Sequence, residues 1–316
     1  MNPTNSENVK LSIVIVNYNS REYLRECLAS IEDTAGNLDY EIIVVDNHSM
    51  DGSVTFVRKA FPKIALIANK TNGGLSRACN QGIKISKGQY ILLLNNDTVL
   101  LSHALEKMIA AMERSPGIGL LGCRLLNSDG SLQQSFGKVI NFRNDFFQKF
   151  FINLYEKRKN RLVGKLLIRS HSKGKDVDWV KGACMLLRRE TVFDVGLLDE
   201  NYFMFMEEVD LSIHVKQMGW RVVYIPDAEI VHHGGGSTST NSYRASVEYR
   251  RSQLYFYKKH YGESGLFCLR IYLLCKFAFN YFAWSAKNVF IRKAGPASEE
   301  RGRFLREVFQ IVSTYR

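Results

Sequence analysis

Three clusters of side chains in this chain have the types and spacing to do chemistry. The first closes the stretch Ile91-Leu92-Leu93-Leu94-Asn95-Asn96-Asp97, where an apolar run ends in amides and a carboxylate. In an open α/β sheet, ligands gather just beyond the carboxyl ends of the strands. A hard divalent cation needs only one or two carboxylates there, with substrate phosphates completing its shell. Asp97 therefore reads as a place to hold a metal against a diphosphate, although Asn-Asp after a strand is also ordinary turn chemistry.

The second cluster is Phe203-Met204-Phe205-Met206-Glu207-Glu208-Val209-Asp210, with three carboxylates in four residues at the start of an expected helix. One acidic residue would simply complement the helix dipole. Three crowded behind an apolar run ask for more, because a carboxylate among like charges has a raised pKa and suits a general base. The third cluster is His232-His233-Gly234-Gly235-Gly236-Ser237. Imidazole is a common metal ligand and glycine lets a loop approach a ligand closely. On its own, a histidine pair in a loop is more often solvated.

The elements that must position these groups alternate along the first 122 residues. Strands are expected over Leu11–Val16, Tyr40–Val45, Ile64–Ala68 and Tyr90–Leu94, with another starting at Gly119–Gly122. Between them, Leu24, Leu28 and Ile31 fall at helical spacing, and Gly73–Ile85 and Ala104–Met112 read as helices. Strands separated by helices imply a mainly parallel α/β sheet with right-handed crossovers. Four strand ends then deliver polar residues to one edge: Asn17-Tyr18-Asn19, Asp46-Asn47-His48-Ser49, Asn69 through Gly74, and Asn96-Asp97. That edge suits a nucleotide. Asp46 could accept from a pyrimidine N3–H, Tyr18 could pack on the base, and Gly73-Gly74 opens a helix whose backbone N–H groups suit phosphate. No G-x-G-x-x-G or G-x-x-x-x-G-K-[ST] is present, which disfavours dinucleotide and P-loop sites.

The pattern weakens from about 141 to 176, a stretch rich in Phe, Lys and Arg that reads as an insertion or flap. Order returns with Asp178–Leu187, a helix over Val209–Met218, a strand over Trp220–Ile225 and a basic, aromatic helix over Tyr243–His260. The tail from Leu266 to Ile291 is apolar and aromatic but interrupted by Arg270, Lys276 and Lys287. Such a segment suits a helix lying in a membrane interface, with packing on the domain or in a homodimer as the alternative. The division expected is 1–260 for the catalytic part and 261–316 for a helical tail.

Composition narrows the classes. A hydrophobic content of 46% excludes disorder and supports a substantial core. Six cysteines without a C-x-x-C spacing read as free thiols in a reducing cytosol, and the polar first ten residues read as no signal peptide. The net charge of +12 calls for an acidic partner: phosphorylated substrate, anionic lipid or nucleic acid. The cations are spread over 141–175 and 244–303 without a recognition motif, so nucleic acid is not expected.

In order, the stretches IVIVNYNS (13–20), IIVVDNHSMDGS (42–53), NKTNGGLSRACNQGI (69–83), ILLLNNDT (91–98), WVKGACMLLRRE (179–190), FMFMEEVDLSIHVKQMGW (203–220) and IPDAEIVHHGGGS (225–237) resemble the family-2 glycosyltransferases of the GT-A fold. The likeness is strongest to the bacterial rhamnosyltransferase-like branch, and it covers roughly residues 10–260. It implies a Rossmann-like, mainly parallel sheet with flanking helices. It also implies that Tyr18 and Asp46, with Asn17 beside them, bind the nucleobase, and that Asn96 meets the ribose. Asp97 and His232 would hold Mg2+ or Mn2+. Gly74, Trp179, Gly182 and Glu207 would line the donor and acceptor pocket, and Glu208 would be the general base. Two positions depart from the family: Asn96 replaces a usual acidic residue or proline, and Glu208 replaces an aspartate. His233 is an extra without an assigned role.

The implied reaction is a single inverting displacement of a nucleotide sugar, most of all dTDP-rhamnose, by a hydroxyl of a lipid-linked or polysaccharide acceptor in cell-surface glycan synthesis. A galactofuranosyl or other hexosyl donor stands close behind. A sugar-phosphate nucleotidyltransferase is the alternative from another class. It is disfavoured because Asn17-Tyr18-Asn19 replaces a Gly-rich, cation-bearing loop. The resulting expectation is a cytoplasmic enzyme, peripheral at an anionic membrane surface.

Overall fold

The computed structural model of the chain describes residues 9–141, 144, 154, 161–234, 242–290 and 296–315. Most of the 141–160 stretch, Gly235, Gly236, Ser237 and Ile291 lie outside the described residues. By compactness the chain forms two units, residues 1–200 with 207–237, and residues 201–206 with 238–316.

The first unit is built on a sheet whose strands run in the order β3 (Ala65–Ala68), β2 (Tyr40–Asp46), β1 (Leu11–Asn17), β4 (Tyr90–Asn95), β11 (Cys184–Arg188), β6 (Ile118–Leu126), β12 (Arg221–His232) and β5 (Thr98–Leu100). β1, β2, β3 and β4 are mutually parallel. β6 and β12 form a second parallel pair. Between the blocks lies β11, antiparallel to both β4 and β6. The sheet is mainly parallel within each block, as expected, and β11 between the blocks makes it mixed. Short strands β7 (Leu132–Gln133) and β9 (Lys175–Asp176) add to β6 and β12. β8 (Phe136–Gly137) and β10 (Trp179–Val180) pair separately.

Continuous apolar runs make these strands, because both sheet faces are covered. Ile13 and Ile15 pack into one core with Leu24, Cys27, Leu28 and Ile31 of α1 (Arg21–Thr34) and Val57 of α2 (Ser53–Ala60). Val14, pointing the other way, packs with Ala78, Cys79 and Ile83 of α3 (Leu75–Ile85). Each fully buried Leu or Ile there contributes about 1.5–3 kcal/mol. Gly82 lets α3 lie close on β1, since a Cβ at that position would overlap Val14. In the 141–176 region, residues Arg161–Ser170 form a helix. It is anchored by buried His171, whose imidazole sits 4.3 Å from the Phe136 ring and whose pKa burial lowers to about 4, so it stays neutral.

The second unit contains helix Ser242–Phe290, broken at Gly262 (φ 65°, ψ −166°), and helix Pro296–Thr314. The expected helix over Tyr243–His260 and the tail thus meet at one left-handed glycine, and compactness groups both together. Leu266, Leu269, Leu273 and Phe277 bury on one side, as do Leu305, Val308 and Val312. Arg270 is spent on the carbonyls of Val312 and Ser313 at the end of the last helix, a C-terminal capping role rather than a lipid contact. Phe267, Phe279 and Phe282 remain exposed.

Candidate active site

β2 and β3 lie on one side of β1 and β4 on the other, so the connections diverge at the β1/β4 boundary. That divergence opens a crevice beyond the carboxyl ends of both strands, where ligands bind in open α/β sheets. Register places Asn17 opposite Asp46, and Val16 opposite Asn95. Asn17, Asp46 and Asn96 are all buried and share one hydrogen-bond network. The Asn17 amide donates to Asp46 Oδ2 at 2.9 Å, and Asn96 donates to Asn17 Oδ1 at 2.7 Å. The backbone N–H of Ser49 donates to Asp46 Oδ1 at 2.8 Å. A carboxylate oxygen has two lone pairs, so Asp46 keeps acceptor capacity toward a ligand. The two loops above are stitched by the same means: Asn19 N–H donates to Ser49 Oγ, and Met50 N–H to Asn19 Oδ1. Asn19 and His48 take positive φ values of 49° and 71° there.

After β4 the chain turns through Asn96-Asp97 and forms β5 (Thr98–Leu100), which pairs with β12 at the far edge of the sheet. β12 runs past Pro226 through an irregularity between Ile225 and Glu229, and sets His232 opposite Thr98. His232 is therefore the end of a strand, not part of a loop as the sequence suggested. The strand does not stop at Ile225, because the irregularity absorbs the proline. The result is that Asp97 Oδ1 lies 3.4 Å from His232 Nε2, both groups 5–6% exposed.

The tautomer of His232 follows from its other nitrogen. Nδ1 lies 2.7 Å from Gln133 Oε1, which also accepts from Lys181 Nζ at 3.0 Å. Gln133 Nε2 donates to the His232 carbonyl and to Asn127 Oδ1. An oxygen that accepts from a lysine can only accept from Nδ1–H as well. Nε2 faces the Asp97 carboxylate and, at 3.4 Å, the Asn95 amide, and in the Nδ1–H tautomer it presents a lone pair there. Two acceptors facing each other in a buried place is the arrangement a cation satisfies, and a hydrogen bond to the remote nitrogen is how metal-binding histidines are oriented. Among the described residues no cluster of three or more His, Cys, Asp or Glu exists, so substrate phosphate and water would complete the shell. The residues present fit a divalent cation.

Gln133 was not singled out from sequence. A glutamine on a two-residue strand carries no signature, and only the β6–β7 pairing shows that it reaches the imidazole. Gln133→Ala is expected to weaken Mn2+ binding about 10- to 100-fold, the usual effect of losing such a partner. Mn2+ titration by calorimetry in the presence of nucleoside diphosphate checks this, and unchanged affinity would remove Gln133 from the site.

The acidic cluster opens helix Glu207–Gln217, two residues earlier than expected. Phe205 and Met206, immediately before it, both take φ 72°. Non-glycine residues in this region cost energy and mark constrained positions. Glu207 is buried and lines a largely apolar cavity with Leu75, Cys79, Asn95, Gly182 and Leu198. Its Oε2 finds no hydrogen-bond partner among the described residues. Burial, with the Glu208 charge beside it, pushes the Glu207 carboxyl well above the ordinary carboxylate range. Glu208 lies against Gly182, where a Cβ would stand 3.5 Å from the Glu208 Cβ.

The remaining sites divide. Gly74 takes φ 89° just before α3; its carbonyl accepts from Asn47 and its N–H is held by Asn72 Oδ1. Trp179 is half-buried with its indole N–H spent on the Lys138 carbonyl, and Tyr18 is half-buried after Asn17. Neither ring joins the networks above. His233, left without a role, meets Ser128 Oγ at 2.8 Å and stacks near Tyr23.

A family model, Glycosyl transferase family 2, matches residues 12–190. The chain belongs to this family. It is 26% identical over 264 residues to an N-acetylglucosaminyl-diphospho-decaprenol L-rhamnosyltransferase of Mycobacterium tuberculosis, covering 80% of this chain and 85% of that protein. Its fold is similar to a mannosyltransferase of Pyrobaculum calidifontis solved with GDP-Man and Mn2+, with a TM-score of 0.55, 14% identity and coverage of 97% and 73%. It is also similar to GalNAc-T7 solved with UDP, GalNAc and Mn2+, with a TM-score of 0.53 and 16% identity; 71% of this chain matches 43% of the length of that one. The protein is a glycosyltransferase of the GT-A fold.

Proposed function

We propose that this family-2 enzyme is inverting and metal-dependent, and that it moves rhamnose from dTDP-rhamnose to a lipid-linked or polysaccharide acceptor. The observation carrying the reading is the facing of two buried acceptors, Asp97 Oδ1 and His232 Nε2, beside the crevice whose floor is Asn17, Asp46 and Asn96. A nucleotide site and a cation site side by side fit a nucleoside diphosphate leaving group. The mycobacterial relative, which by name is an L-rhamnosyltransferase onto a diphospho-decaprenol-linked sugar, supports the donor and acceptor classes.

In this reading Asp46 accepts from the base, Tyr18 packs on it, and Asn96 meets the ribose. A divalent cation held by Asp97 and His232 would supply charge neutralisation at the departing diphosphate. Gly74, Trp179 and Gly182 line the space for the sugar and its acceptor. Like charges next to each other cannot both ionise easily in a buried place. Keeping Glu207 protonated leaves Glu208 to carry the charge of the pair. Glu208 then removes the proton of an acceptor hydroxyl as that oxygen attacks the anomeric carbon from the face opposite the diphosphate. The glycosidic bond forms as the bond to the diphosphate breaks, and the anomeric configuration inverts.

Donor choice is tested by incubating the enzyme with dTDP-rhamnose and other nucleotide sugars, with and without Mn2+, and following nucleotide release. Metal-dependent release from dTDP-rhamnose above the others is expected. Preference for a galactofuranosyl or hexosyl donor would change the sugar and keep the mechanism, whereas pyrophosphate release from a nucleoside triphosphate and a sugar phosphate would replace the class.

The tail supports a cytoplasmic enzyme peripheral at an anionic membrane. By length and composition Tyr243–Phe282 includes an 18-residue window of mean hydropathy 1.3, but the helix is interrupted at Gly262. With one face of the tail buried, the exposed Phe267, Phe279 and Phe282 are left to meet lipid. Aromatic side chains favour the headgroup level. Glutamine at all three should weaken flotation with vesicles of equal parts phosphatidylcholine and phosphatidylglycerol. If full-length enzyme stays in the bottom fraction at low salt, the exposed ring face serves a second copy of the chain instead.

A further inference from the structure

The helix Arg161–Ser170 belongs to the first unit and takes no part in the site described above. Its exposed positions are Leu162, Lys165, Leu166, Ile168 and Arg169. Three large apolar side chains there show 69%, 53% and 59% of their surface (Leu162, Leu166 and Ile168). At 100° per residue these five positions fall within one arc of the helix, with cations between the apolar groups. The inner arc holds Gly164, which is buried, and Val163 and Leu167, which are half-buried. The anchor at its end is His171, fixed through Leu167 and Phe136. The helix is thus seated on the unit by one side and offers the other outward.

The charge of the segment is one-signed. Residues 157–175 contain eight lysines and arginines and no aspartate or glutamate. A chain whose exposed helix face was merely solvated would have no reason to spend three leucine and isoleucine side chains on it. A nucleic acid would use the cations but not the aliphatic groups. An anionic bilayer uses both, because aliphatic groups enter the acyl boundary while lysine and arginine stay at the headgroups.

We propose that the outer face of helix Arg161–Ser170 is an anionic-lipid contact of the catalytic unit itself, separate from the tail. It rests on neither the donor nor the acceptor assignment. Leu162, Leu166 and Ile168 enter the interface, and Lys165, Arg169 and Lys173 meet the lipid phosphates. A short helix with three apolar groups gives weak, reversible binding, suited to an enzyme that must leave one acceptor for the next.

The test uses the full chain and vesicles of equal parts phosphatidylcholine and phosphatidylglycerol. Hydrogen exchange of peptides covering 161–170 should slow when vesicles are added. The triple variant Leu162→Gln, Leu166→Gln, Ile168→Gln should bind them roughly tenfold more weakly or worse. Lys165→Glu with Arg169→Glu should act similarly and remove most of the salt dependence of that contact. Donor hydrolysis without vesicles should be unchanged in every variant, which also shows that they fold and separates failure of this proposal from failure of the proposed reaction. Unchanged exchange and unchanged vesicle affinity would overturn the proposal. So would a loss of oligomerisation in the glutamine variant without vesicles, which would make the face a self-association surface. Binding to single-stranded RNA that only the charge variant loses, with vesicle binding intact, would overturn it in favour of nucleic acid.

Discussion

Asp97→Asn abolishes sugar transfer and leaves the fold intact. The amide keeps the shape of the side chain and loses the charge opposite His232 Nε2, 3.4 Å away. In the wild type that charge is the only anionic member of the pair, and an imidazole cannot replace it. Losing a cation that stabilises the leaving group removes several kcal/mol of transition-state stabilisation, so the expected drop is roughly three orders of magnitude or more. Stability should change little, because the amide keeps the shape and volume of the side chain. Turnover at saturating Mn2+ and the melting temperature, measured together, decide the matter. Near-normal turnover would exclude Asp97 from metal binding.

Glu208→Gln should lower turnover by about 10²-fold or more while nucleotide binding survives, the lower range for a lost general base. Glu207→Gln should be far milder in turnover and should differ in stability. A carboxyl whose pKa is raised on folding contributes stability below its unfolded pKa, and that contribution is lost as pH rises through the folded value. Burial and the adjacent Glu208 charge raise Glu207 in this way. Removing its titration should therefore raise the melting temperature more at pH 8 than at pH 5. If Glu207→Gln is the more damaging change to turnover, the base has been assigned one residue too late.

These two predictions rest on parts of the chain that were unequally legible. β1, β2 and β4 were readable because their apolar runs are buried on both faces and leave no ambiguity of period. The polar strand ends followed, and with them the network joining Asn17, Asp46 and Asn96. What the residues alone could not show was how Asp97 meets a histidine 135 positions later. That meeting depends on β5, three residues long, and on the part of β12 beyond Pro226. Neither has a local pattern: a three-residue strand has no periodicity, and a proline ordinarily ends a strand. Tertiary pairing, Ile230 through His232 against Leu100 through Thr98, supplies both. Gln133 was invisible for the same reason. The tail was legible as apolar but not in its two faces, since burial of Leu269 and Phe277 depends on a partner helix.

The antiparallel β11 has a consequence for the order in which the protein becomes competent during synthesis. The block β1 to β4 ends at Asn95 and is made wholly of residues already emerged by then. The groups that would recognise a nucleotide are nearly all in it. β11 is joined to both blocks, with the Asn95 N–H donating to the Ala183 carbonyl at 3.0 Å, and it arrives almost ninety residues later. His232 comes later still. In chain order the residues proposed to meet the nucleotide therefore come early and the proposed cation pair almost last. Until β11 covers it, the edge of β4 is an open ladder of the kind that invites aggregation. In the proposed reaction, a chain that stopped short of β12 would lack the cation pair altogether.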